Sequence, residues 1–169
     1  MTGRVALLRG VNVGGNNKLP MEMLKALGER AGFSSVRTYI ASGNLVFASD
    51  AGEADCRERI EALIEAEYGK RLSVLVRSAE ELAAIAANNP FADCPGNRVV
   101  AIFVDGPVTI EGSRNQANER VEPGERAIYA HYPDGQAETR LVIPAARDGT
   151  ARNMNTVAKL AALAREAGA

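Results

Sequence analysis

Apolar positions along this chain switch between continuous runs, helical stripes and alternation, and each switch predicts an element. Residues 4–11 are mostly apolar around Val5, Ala6, Leu7 and Leu8, as in a strand buried on both faces. Met21, Leu24, Leu27 and Ala31 then repeat at helical spacing. Pro20 stands where a first helical residue is favoured, Asn17 lies near the cap, and Gly32 is placed to close the helix in a left-handed conformation. Val36, Thr38 and Ile40 alternate with Arg37 and Tyr39. Ser42, Gly43 and Asn44 supply turn chemistry, and Leu45, Val46 and Phe47 return, so this stretch reads as a hairpin. Cys56, Ile60, Leu63 and Ile64 mark a second helix over about 54–68, ended by Gly69. Residues 72–76 form the next strand, and Ser78 with Glu81 fits a capping box opening a third helix that stops before Asn89 and Pro90.

The pattern then starts again with less regularity. Residues 98–104 are as apolar as the first strand, and 113–120 have room for a short polar helix. Residues 126–132 and 139–143 flank Pro133, Asp134 and Gly135, a strong turn signal for a hairpin. A closing helix over 155–167 puts Val157, Leu160, Ala161 and Ala164 inward. The expected fold is α+β: a ferredoxin-like βαββαβ N-terminal half with an antiparallel sheet, followed by a second, less complete βαββα half. The expected organisation is a ferredoxin-like subdomain at 1–77, a connecting helix and loop at 78–97, and a second α+β subdomain at 98–169 packed against the first. No residue-level repeat accompanies this topological echo.

Composition narrows the class. The chain has 169 residues, 46% hydrophobic and 24% charged, which suits one ordinary domain or two small ones with a shared core. No apolar run approaches the ~20 residues of a membrane helix, and Arg9 interrupts anything resembling a signal peptide, so a cytoplasmic protein without membrane association is expected. Cys56 and Cys94 lack CxxC spacing and read as reduced thiols, not bonded to each other. With His131 as the single histidine, no metal site is assigned. The net charge of −1 argues against nucleic-acid binding by bulk charge. Its distribution is more informative: residues 1–49 are net +4, 50–139 net −8 and 140–169 net +3. Both ends are basic, so ends that meet would make one positive face.

The candidate chemistry lies in those basic ends. Residues 9–18 read RGVNVGGNNK, a strand exit followed by a Gly- and Asn-rich loop, a lysine and a helix start. A Walker A loop requires Lys and Ser/Thr directly after its second glycine, whereas Asn16 and Asn17 follow Gly15 here. The dinucleotide fingerprint fails because Asn12 takes its second glycine position. What remains is Arg9 and Lys18 as fixed cations, Gly14 and Gly15 for close backbone approach, and Asn12, Asn16 and Asn17 as amide donors ahead of a helix N-terminus. The same residues equally suit a plain strand-to-helix turn. TARNMNTVAKL, residues 150–160, repeats the palette with Arg152, Asn153, Asn155 and Thr156 at another helix start, where Asn155 or Thr156 would also serve as a cap. Ser42 and Asn44 are either a third contributor or only a hairpin turn.

ALLRGVNVGGNNKLPM, VRTYIASGNLVF and TARNMNTVAKL, in that order, resemble the signatures of the bacterial domain of unknown function 1697 family, from residue 5 to the final helix. The family pattern usually has Lys where Asn16 stands, Gln at Ala41 and Trp at Met154. Its PDG-x-G-x-S-K-L segment is PDGQAETRL here, with Ala137, Thr139 and Arg140 substituted. A longer helix after Leu141 in similar proteins is shortened to VIPAARDG. The resemblance implies an α+β fold with a ferredoxin-like half and a joint importance of the three motifs. It brings no established activity.

The motif residues are donors and cations with no general base among them, which suits holding an anion and suits proton abstraction poorly. Glu58, Glu61 and Glu65 read as a solvated helix face, and Glu22 is the only carboxylate near the loop. The expected function is binding of an anionic, phosphate- or carboxylate-bearing small molecule or a nucleotide at one shared site. Its ligand-binding residues are Arg9, Asn12, Gly14, Gly15, Asn17, Lys18, Ser42, Asn44, Arg152, Asn153, Asn155 and Thr156. A phosphoryl- or nucleotidyl-transfer enzyme is the first alternative. An RNA- or single-strand-binding module is the second, disfavoured because the first strand has no aromatic and the third only Phe47. Catalytic residues, cofactor and oligomeric state are unassigned.

Overall fold

The computed structural model describes residues 1–11, 18–40 and 43–169. By proximity along the folded chain, Met1–Leu82 with Leu160–Ala169 form one compact unit and Ala83–Lys159 a second. Each unit contains one four-stranded antiparallel sheet, so the α+β class is as expected.

In the first unit the strands are β1 (Thr2–Leu8), β2 (Ser34–Thr38), β3 (Asn44–Ser49) and β4 (Val74–Ser78), ordered β2-β3-β1-β4. Helices α1 (Met21–Arg30) and α2 (Glu53–Tyr68) make the two crossovers, which completes the ferredoxin-like βαββαβ pattern. Strand alternation divides the apolar residues between two faces. Ala6, Leu8, Leu45, Phe47, Val74 and Val76 join Leu24, Leu27, Ile60 and Ile64 in one core under the helices. Val5, Leu7, Val46 and Leu75 are also buried, so the opposite face is covered as well. Within this unit β1 meets the end of the chain closely: a Cβ on Gly3 would fall 1.8 Å from the Ala164 carbonyl oxygen.

The predicted punctuation is visible atom by atom. Gly32, at φ +87°, donates its N–H to Glu29 O at 3.1 Å, and Phe33 N–H reaches Gly28 O at 3.2 Å. These two bonds form a Schellman closure of α1. They also deliver Phe33 onto the Phe47 ring, with centroids 4.0 Å apart. Gly69 ends α2 at φ +71°. At α3 (Ala79–Ala87), Ser78 N–H donates to Glu81 Oε1 at 3.0 Å and Glu81 N–H to Ser78 Oγ at 3.1 Å, the reciprocal capping box.

One carboxylate departs from the solvated-face reading. Glu61 is buried, accepting the Val74 N–H at 3.0 Å and Arg57 Nε at 3.2 Å, so it ties α2 to the start of β4. Glu58 and Glu65 do face solvent, each against Arg71. The helical spacing alone does not register that the strand beside α2 offers an unpaired N–H.

The second unit holds β5 (Val99–Phe103), β6 (Arg120–Pro123), β7 (Ala127–His131) and β8 (Thr150–Asn153), ordered β6-β7-β5-β8. This is the strand arrangement of the first sheet, but irregular chain replaces both crossover helices. Residues 113–120 form no helix; Arg114 instead bridges to Val142. The expected hairpin of 126–132 with 139–143 is also corrected, because β7 pairs with β6. Its turn is Pro123, Gly124, Glu125 and Arg126, closed by Gly124 N–H to Ala127 O at 2.8 Å. A Pro-Gly pair followed by a residue able to take φ +58°, here Arg126, makes a tight reversal. Pro133, Asp134 and Gly135 do turn the chain, yet the polar residues 136–140 that follow have no apolar face to bury in a sheet. Val100, Ile102, Ile128, Ala130, Tyr132 and Ile143 form this unit's core. The closing helix α4 spans Met154–Gly168.

Cys56 is buried and Cys94 half-buried, both as free thiols. Burial pushes the Cys56 thiol above its ordinary value, outweighing the nearby Ser49, Arg4 and Arg59, which act the other way. Among the described residues, no helix is long and apolar enough to cross a membrane.

Candidate functional site

The first candidate group grows out of the end of β1. Leu8 donates its N–H to Gly43 O at 2.9 Å, and Arg9 donates its N–H to Ser73 O at 3.0 Å. These bonds fasten the root of the glycine-rich loop to the β2–β3 turn on one side and to the approach of β4 on the other. Gly10, at φ +70°, then carries the chain out of the sheet. Arg9 and Lys18 are exposed at the two ends of the loop, whereas Val11 and Leu19 are buried and anchor those ends. Asn12, Gly14, Gly15, Asn17 and Ser42 lie outside the described residues.

The β2–β3 turn is a brace for this root. Asn44 is fully buried, donating Nδ2–H to Tyr39 O at 2.9 Å while Tyr39 N–H reaches Asn44 O at 3.1 Å. Gly43 sits at φ +91°, and a Cβ there would stand 2.4 Å from Val11 Cγ2. Only glycine combines that backbone with that contact. Ile40, a β-branched residue at φ +52° and 47% exposed, stands beside it. Such residues adopt this conformation only when their surroundings impose it.

Helix α1 begins with Pro20 as its cap, at φ −58° and ψ 140°, with no side-chain hydrogen bond to the first turn. Proline has no side-chain acceptor to give, so Pro20 itself caps none of the first-turn N–H groups, which favour anions. Pro20 thus precedes the first helical residue and does not occupy it. Sequence reasoning missed a neighbour: Tyr68, the last residue of α2, and Lys70, just past its cap, line a cleft of about 30 Å³ with Lys18, Leu19 and Leu72. The signal was a lysine directly after the Gly69 cap, indistinguishable in sequence from a solvated helix end.

The second candidate group occupies the β8–α4 junction of the second unit. Arg152 is 6% exposed and donates Nη1–H to Thr150 Oγ1 at 2.6 Å and to Ala151 O at 2.9 Å. Burial pushes its guanidinium down to about 10, so it is still charged at neutral pH. Asn153 Oδ1 accepts the Thr156 N–H at 2.9 Å, which makes Asn153 the helix cap. Thr156 is buried, and Asn155 is exposed with its side chain against Gly96.

A family model described as a protein of unknown function, DUF1697, matches residues 1–129. Among solved structures, the chain is similar to the conserved bacterial protein SP0830 from Streptococcus pneumoniae, with 26% identity and a TM-score of 0.78. That similarity covers 96% of this chain and 98% of the other. No curated protein matches the chain.

Proposed function

The chain belongs to the domain of unknown function 1697 family, and for this member we propose binding of an anionic small molecule or nucleotide, phosphate- or carboxylate-bearing, at the Gly/Asn loop between Arg9 and Lys18. The observation that carries the reading is the pinned loop root. Backbone bonds to Gly43 and Ser73 hold the start of a glycine-rich loop, with exposed Arg9 and Lys18 at its ends and a helix start where Pro20 makes no side-chain cap. Gly14 and Gly15 admit a ligand close to the backbone, and Asn12, Asn17 and Ser42 contribute neutral donors. Asn44 acts by bracing the turn. Each charge-assisted hydrogen bond is worth roughly 1.5–3 kcal/mol before ordering costs. Arg152, Asn153, Asn155 and Thr156 are a second donor group, within their own unit.

Calorimetric titration with inorganic phosphate, pyrophosphate, citrate and nucleoside mono- and triphosphates tests the reading at low and high salt. Lys18→Ala and Arg9→Ala are each expected to weaken the preferred anion by about 1–2 kcal/mol, with the loss shrinking as salt screens the charge. Lys25→Ala, a charge removed from the exposed face of α1, is the control. Equal losses from Lys25→Ala and Lys18→Ala, or no binding of any of these anions at millimolar concentration, overturn the proposal. The stoichiometry reads a further point: one equivalent if a single ligand serves both donor groups, two if each holds its own.

A further inference from the structure

Outside the anion loop, the second unit gathers a nucleophile, a cation and an imidazole from three separate elements. Cys94 lies in the turn before β5, Arg120 opens β6 and His131 ends β7. Arg120 Nη2 is 3.2 Å from Cys94 Sγ and 3.2 Å from His131 Nδ1. A guanidinium has only donors, so the sulfur and Nδ1 both accept from it, and His131 carries its proton on Nε2. The Arg120 guanidinium lies over the Phe91 ring, 4.8 Å from the centroid, and the Phe91 and His131 rings are 5.9 Å apart. Among the described residues, Arg120 has no ion pair with a carboxylate. It is an exposed cation held in place by a ring and an imidazole, aimed at a half-buried sulfur. Asp93 Oδ1, 3.7 Å from Sγ, accepts the thiol hydrogen.

We propose that Cys94 is a redox modification site, oxidised to a sulfenic acid by small hydroperoxides with Arg120 as its charge partner. The thiolate is the attacking form, and reactive cysteines are found in electropositive, partly exposed surroundings. Sγ attacks one peroxide oxygen, an S–O bond forms and the O–O bond breaks. The sulfur is oxidised by two electrons and the peroxide is reduced to water or an alcohol. The thiol proton passes to solvent, and the leaving oxygen takes a proton from solvent in turn. Arg120 Nη2, already against the sulfur, compensates negative charge on the thiolate and on the departing oxygen. His131 is a positioning residue: its Nδ1 accepts from the same Nη2 that faces the sulfur, which fixes the direction of that amino group. A small thiol reverses the modification by condensing with the sulfenic acid as water leaves, and a second thiol then frees Cys94.

Cys56 provides an internal reference, since it is fully buried on α2 and donates its S–H toward Ala51 O at 3.7 Å. The test treats the intact protein with hydrogen peroxide, traps sulfenic acid with a dimedone-type probe, and follows both cysteines by peptide mass spectrometry. Cys94 is expected to label at least fivefold faster in the native protein than in denaturant at the same pH. Cys56 is expected to label only after unfolding. Arg120→Ala should remove most of the Cys94 advantage, and Arg120→Lys should restore part of it, because a point charge keeps the field and loses the fork. If Arg120→Ala loses the native circular dichroism, His131→Gln, which changes the anchor and leaves the cation, decides by the same rate. A native Cys94 rate no faster than in denaturant, or a rate unchanged in folded Arg120→Ala or, in its place, His131→Gln, overturns the proposal.

Discussion

Two helix starts in this chain draw on the same residues, and the structure treats them differently. At the start of α4, Asn153 caps its own helix and Arg152 is buried with Nη1 given to Thr150 and Ala151. At the start of α1, Pro20 gives no side-chain bond to the helix, and Arg9 and Lys18 stand exposed. Residue type alone therefore does not separate a donor held by its own backbone from one presented to solvent. The difference lies in what precedes each helix. A strand runs straight into α4, so β8 fixes Arg152 by its pairing opposite Ala101. A loop separates β1 from α1, with backbone bonds at its root and a lysine at its far end. Arginine and asparagine on the strand stabilise the local structure. At the ends of the loop, Arg9 and Lys18 are exposed.

The comparison can be broken or sharpened by substitution. The largest effect is expected at the brace of the first start. Gly43→Val places a β-branched residue at φ +91° and a Cβ into Val11, at a cost of roughly 3 kcal/mol or more by chemical denaturation. A loss under 1 kcal/mol would mean that the turn does not support the loop root. Arg152→Ala comes next. Truncating a buried side chain and leaving Thr150 Oγ1 without its donor should destabilise the protein by about 2–3 kcal/mol in urea unfolding. An unchanged midpoint would show that Arg152 is as available as Lys18.

Asn153→Ala removes the α4 cap and is expected to lower stability by about 1 kcal/mol, whereas Asn153→Asp should retain most of it. The difference in thermal midpoint between the two variants checks this. Lys18→Ala should change stability by less than about 0.5 kcal/mol, as for an exposed charge without a buried contact, while weakening anion binding. A stability loss as large as that of Asn153→Ala would place Lys18 among the structural residues and end the contrast.

How much was legible followed how local each signal is. Gly32, Gly69 and the Ser78–Glu81 pair are local, needing only neighbours three to five residues away, and all three appear at the expected atoms. The β6–β7 hairpin is not legible from turn chemistry alone, because Pro123 and Gly124 signal a turn as Pro133, Asp134 and Gly135 do. Both are turn signals, and the arbiter is which flanking segment has apolar residues to bury against β7. β8 is not legible in sequence because its four residues, Thr150, Ala151, Arg152 and Asn153, carry no apolar alternation. Arg152 counts as an inward residue only once the sheet exists. Turn chemistry and ligand contact both suit Asn44 in sequence, and its full burial, with its amide on the Tyr39 carbonyl, comes from pairing the turn against β1. The burial of Glu61 is not legible for the same reason: helix period does not report what lies opposite.

By itself, then, the sequence determined the α+β class, the first ferredoxin-like sheet, the helix ends and the two basic stretches, because periodicity, turn propensity and capping act over a few residues. Tertiary structure alone decided that the second sheet repeats the strand order of the first without its crossover helices, since strand pairing selects partners far apart in the chain and tolerates irregular connections. It also decided that Arg152 is buried while Arg9 and Lys18 are exposed. It brought Cys94 and His131, 26 and 11 residues from Arg120 in the chain, to within hydrogen-bond distance of one guanidinium. Burial and charge pairing depend on the environment each side chain meets after folding, and no window along the chain contains that environment.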